Sequence, residues 1–233
     1  MLAVWQKELK TYYYTSAGYV FMGIFLTLSA VFFYSGNMAE HSSNCMALLR
    51  SMSYLWMLLC PLLTMRLVAG ERQLRTDVLL GSLPLPASSL ILGKYLAAAT
   101  VLLLTTACTW IFPAVIALYG KVYLPETLTG YLGFTLMGLM FIALDMTATC
   151  LCLTPLTACV AGLGINLAFW LFDVVAAASS GTVLARVLTF LSPNQRFTPY
   201  TLGQLSLANI IYALCFICAM LLLCERLIKR RRR

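Results

Sequence analysis

Six apolar runs dominate this chain, each close to or beyond the length that crosses a bilayer: roughly Ala17 to Tyr34, Tyr54 to Val68, Leu92 to Tyr119, Leu128 to Leu151, Leu156 to Ala176 and Leu207 to Cys224. A run of about 20 apolar residues crosses hydrocarbon as a helix, because a helix satisfies its own backbone N–H and C=O groups where no water can. Composition agrees: 61% of the 233 residues are hydrophobic and 10% charged, against about 25% charged in a soluble domain. The expected fold class is an all-α membrane protein, one domain over residues 1–233 with six transmembrane helices. The first run is longer than the roughly 7 to 15 apolar residues of a signal peptide and has no small-residue cleavage site after it, so it counts as a span.

Lysine and arginine set the orientation, since they collect on the cytoplasmic side. With the N-terminus inside, that side holds Lys7, Lys10, Arg66, Arg72, Arg75, Lys94, Arg226, Lys229 and Arg230 to Arg233. The outer side keeps only Arg50, Lys121, Arg186 and Arg196. Both termini are therefore expected in the cytoplasm. The net charge of +8 needs no nucleic acid: the basic tail over residues 225–233 adjoins a span, where each charge gains about 1 kcal/mol from anionic membrane lipid.

Before the first span, Leu2, Trp5, Leu9 and Tyr12 recur at helical intervals, which predicts an interfacial helix over residues 1–16. A disordered tail with incidental spacing is the alternative. The outer segment over residues 177–206 is too short to cross. Val183, Leu184, Val187, Leu188 and Leu191 give it one apolar helical face, re-entrant or interfacial, and LSPNQRFTPYTLG then reads as turns. Cys215 and Cys218 have a metal-like spacing, but inside an apolar span with no histidine or carboxylate beside them the expected role is helix packing rather than a metal centre. His41, the sole histidine, reads as a solvated outer-loop residue.

The charged stretch GERQLRTDVLLGSLPLPASS, residues 70–89, links the second and third spans on the inner side. Glu71 and Arg75 stand four apart in the favourable order for a helical ion pair, and Leu74 and Val78 share another face. A short helix from about Glu71 to Leu80 is expected, stopped by Gly81, Pro84 and Pro86, with Ser88 or Ser89 capping the next. From the residues alone this is either a solvated connector or a docking element.

Around it, Thr64, Met65, Arg66, Glu71, Arg72, Thr76, Asp77, Leu79, Leu80, Leu92, Gly93 and Lys94 make a pattern that resembles ABC transporter type-2 permeases, in particular the gliding-motility-associated group. KELKTYYYTSAGYVF and FLSPNQRF resemble the same group, so the likeness covers nearly the whole length. Gly70 stands where a second acidic residue is common there, and Asp77 where Glu is usual. The resemblance implies a multi-pass subunit of the bacterial cytoplasmic (inner) membrane. It pairs with a second permease copy, identical or related, and with a separate cytoplasmic ATPase that holds the ATP and Mg; an extracytoplasmic accessory protein is a further partner. It makes the loop a coupling helix in a groove of that ATPase, with Glu71, Arg72, Arg75, Thr76 and Asp77 as polar contacts and Leu74, Val78 and Leu79 filling the groove. The chain has no G-x-x-x-x-G-K-[ST] loop to cradle phosphates, so hydrolysis is assigned to the partner and no catalytic residue or cofactor to this chain.

A carboxylate at mid-bilayer costs about 2.5 to 3.5 kcal/mol, so polar residues inside spans need a use. Asp145 shares a side of the fourth span with Gly138 and Thr149, and Ala158, Gly162, Asn166 and Asp173 run down a face of the fifth. These faces either line a translocation path between two copies or pack helices together. The leading expectation is an exporter permease. One alternative is an ATPase-driven anchor that does mechanical work on an outer partner without moving solute. A remote one is an intramembrane enzyme, for which the spans offer no histidine, Ser179-Ser180-Gly181 has no evident base, and Asp145 and Asp173 lie at different depths.

Overall fold

The computed structural model describes residues 2–39, 43–75, 86–120, 123–178 and 192–232. Among them the regular elements are all helices: α1 Leu2–Tyr14, α2 Ala17–Phe33, α3 Cys45–Thr64, α4 Ala69–Gln73, α5 Ala87–Thr109, α6 Ile111–Tyr119, α7 Leu124–Leu151, α8 Pro155–Ala178, α9 Pro193–Thr201 and α10 Leu207–Arg232. A π turn, Tyr34–Met38, prolongs α2. Six stretches are long and apolar enough to cross a membrane, namely Ala17–Met38, Cys45–Gln73, Ala87–Leu118, Leu124–Leu151, Pro155–Ala176 and Leu207–Arg230. The six expected spans are present. The second starts at Cys45 rather than Tyr54, because Asn44 caps it by accepting from the Met46 and Ala47 amides at 3.1 Å.

The fourth span is the hub. Of its membrane-length stretch 78% is buried, against 17% for the fifth span, which leaves α8 most of its surface for lipid or a partner. Trp56 of α3 stacks on Phe25 of α2 at 4.2 Å and tilts against Phe134 of α7 at 5.0 Å. Hydrocarbon is as apolar as these side chains, so close fit holds helices together rather than exclusion of water. At Gly138 a Cβ would stand 2.7 Å from Leu102 Cδ1, and that missing atom is what lets α7 approach α5 and α3.

Prolines in the spans release carbonyls, and side chains from other helices occupy them. Pro113 has no N–H for Thr109, so α5 and α6 part at Trp110, and the Tyr131 hydroxyl of α7 donates to Thr109 O at 2.9 Å. Pro61 lies inside α3 and frees Met57 O, to which Asn166 Nδ2 of α8 donates at 3.0 Å.

The stretch expected to be turns contains a helix instead, α9. Ser192 Oγ accepts from the Gln195 amide, Pro193 takes the first helical position, and Pro199 falls in the closing turn. Phe197 and Tyr200 are buried, Tyr200 directly over Gly133 of α7. The apolar face from Val183 to Leu191 lies outside the described residues, as does His41. At the other end, α1 covers the amphipathic stretch, and Ser16 turns the chain into α2 with φ 56°.

Candidate functional site

The start of the first span and of the third, and the end of the second and of the fourth, meet at one face of the bundle. Helix C-termini leave carbonyls without intrahelical donors, and this corner supplies them from charged and phenolic side chains. Lys94, about two turns into α5, donates to Leu67 O just past α3. Arg72 of α4 donates through Nη1 to Cys150 O and Cys152 O, both at 2.7 Å, closing the end of α7. Tyr12 of α1 donates to Leu63 O at 2.7 Å. Cations at helix C-termini also face the negative end of the helix dipole.

Charge pairing joins the same elements. Lys94 Nζ is 2.8 Å from Glu71 Oε1 and 3.1 Å from Glu8 Oε1, with its side chain 1% exposed. Lys7 adds contacts at 3.4 Å to Glu71 and 3.6 Å to Glu8 from an exposed position. The spacing of Glu8 and Tyr12, four apart on α1, puts both on the buried side of that helix. Burial, and then the Glu8 carboxylate, hold the Tyr12 phenol well above its ordinary pKa of 10.0. Four segments far apart in sequence are thereby fixed to one another.

Of the residues expected to dock, Glu71 and Arg72 turn inward to this network. The helix over Glu71 to Leu80 is not continuous: α4 spans Ala69–Gln73, and Arg75 leaves the helical path at φ 55°, so Glu71 pairs with Lys94 and Lys7 rather than with Arg75. Leu74 is 76% exposed and Arg75 is exposed beside it. Thr76, Asp77, Val78 and Leu79 lie outside the described residues.

Inside the membrane region Asp145, Gly162 and Asn166 are brought together, all buried between α3, α7 and α8. Asn166 Nδ2 donates to Asp145 Oδ2 at 3.3 Å. Thr149 is buried too, but its hydroxyl turns back to Met146 O at 2.8 Å. Asp173 stands farther along α8, partly buried, and neither of its oxygens has a hydrogen-bond partner among the described residues.

Sequence reasoning missed Glu8 and the inward role of Lys94. The available signals were a lysine two residues into an apolar run and a carboxylate on the apolar side of an amphipathic helix, which point to each other only by charge. Compared with family models and with curated proteins, the sequence matches none.

Proposed function

We propose that this chain is the membrane-embedded permease subunit of an ATP-binding cassette exporter of type 2, working as one of two copies and driven by a separate cytoplasmic ATPase. The observation that carries the reading is the charged corner. A loop can act as a lever on spans only if its roots are fixed to them. Glu71 and Arg72 tie the root of the 76–85 segment to the third span, the N-terminal helix and the end of the fourth. Leu74 and Arg75 are left outward, an apolar and a basic residue beside the segment assigned to the ATPase groove. The excess of Lys and Arg on this face supports a cytoplasmic orientation for it. Nucleotide-driven closure of the ATPase pair then moves the roots of the second and third spans together.

A second reading has one observation in its favour. Asp145, Gly162 and Asn166 are used in packing within a single chain, which suits a mechanically transmitting subunit that pulls on an outer partner more than a polar path between copies.

The test is co-purification with the nucleotide-binding chain, followed by ATP-dependent solute movement in sealed vesicles. Leu74→Glu with Arg75→Glu should abolish ATPase binding while the spans stay folded. Full binding by that variant refutes the docking assignment, and ATPase coupling without any solute movement selects the mechanical reading.

A further inference from the structure

Asp145 is enclosed on α7 by α3 and α8, and the charged corner makes no use of it. Its Oδ2 accepts from Asn166, but its Oδ1 has no partner among the described residues, and neither has Asn166 Oδ1. Both side chains are essentially inaccessible, at 1% and 0% exposure. The neighbouring polar groups are committed elsewhere. Thr147 and Thr149 turn to Leu144 O and Met146 O of their own helix, and the Cys60 thiol faces Gly138 O at 4.0 Å. The titratable groups beside it are Cys60 of α3 and Cys159 of α8, and among the described residues no cation pairs with it.

The orientation of the amide is set independently. Pro61 leaves Met57 O without a helical donor, so the atom of Asn166 that meets it is the nitrogen. Its two hydrogens are then used, one on Met57 O and one on Asp145 Oδ2. What remains is an acceptor on Asn166 and an oxygen on Asp145 that becomes a donor on taking one hydrogen. We propose that Asp145 and Asn166 form a neutral acid–amide pair, a buried binding site for a single proton that locks α8 onto α7. The proton is bonded to Asp145 Oδ1 and donated to Asn166 Oδ1. One ligand satisfies both unpartnered atoms at once, with no metal or counter-ion. Gly162 provides the room, since a Cβ there would stand 3.0 Å from Asp145 Oδ1 and 3.0 Å from Pro61 Cβ. Parting α8 from α7 removes the acceptor, and the acid then yields its proton to entering water. Proton release is thus the signature of that movement.

Infrared spectroscopy of the purified chain in lipid vesicles at neutral pH tests this without any ATPase, so its failure leaves the transport reading untouched. A protonated-carboxyl C=O band that shifts in D2O is expected in the native protein and absent from Asp145→Asn. No band that depends on Asp145 overturns the proposal. Recording Asp173→Asn alongside keeps that carboxyl apart, because the Asp145 band must survive it. Where Asp145→Asn fails to fold, Asn166→Leu decides: the band should persist at the higher frequency of an acid without its acceptor, and an unchanged frequency overturns the pairing.

Discussion

Replacing Lys94 with Met keeps the length of the stem and removes the charge at the centre of the corner. Glu8 and Glu71 oxygens lie 3.1 Å and 2.8 Å from Lys94 Nζ, so without it two carboxylates face each other across at most about 6 Å, a repulsion of about 3 kcal/mol or more at an effective dielectric constant of 20. Lys7, 57% exposed, offsets part of this, and the lost donor at Leu67 O adds to it. A destabilisation of about 3 kcal/mol is expected, at the lower edge of what removing one partner from a buried ion pair costs. The variant carrying Lys94→Met, Glu8→Gln and Glu71→Gln together should recover to within about 1 kcal/mol of the native protein, because a neutral buried set removes the unpaired charges. Equilibrium unfolding in mixed micelles, followed by circular dichroism, measures both. A single variant as stable as the native chain, or a triple variant no better than the single, refutes the claim that the corner is held by charge pairing.

Arg72→Ala should cost about 2 kcal/mol, the scale of hydrogen bonds from a charged group, and should speed amide exchange selectively at the end of α7. The Tyr12 phenol stays protonated where an unfolded chain would release it, so its contribution is full below about pH 10 and is lost as pH rises beyond that. Tyrosinate absorbance against pH should show one late-titrating phenol that Tyr12→Phe removes. Gly133→Ala would put a Cβ 2.6 Å from Tyr200 Cβ. It should cost about 1 to 3 kcal/mol as an overpacked contact, with exchange rising across α9.

The spans were legible because hydropathy is a local property: a window of the chain contains the whole signal. The start of the second span was not, since Asn44 sets it by a cap that lies outside the apolar run. In α9 the Ser192-Pro193 pair was itself a helix-start signal, and Pro199 sits inside the helix although its ring gives the Gln195 carbonyl no intrahelical donor. Glu71 looked local, with Arg75 in register four residues on. Its partner proved to be Lys94, because Arg75 departs from the helix and a buried carboxylate is held by the cation that burial brings to it. Asn166 could be seen as polar, yet its target, Met57 O, exists only because Pro61 stands four residues later in another helix. Such vacancies are written in the chain but become demands only when two helices touch.

Glu8 meets its cation 86 positions downstream. A nascent chain leaving the ribosome therefore carries a glutamate whose buried cation is missing until the third membrane crossing has been synthesised. The early part of the polypeptide cannot finish assembling in order of translation, and an insertion error in any of the first three crossings would leave this acidic residue stranded at the bilayer surface for quality-control proteases to find.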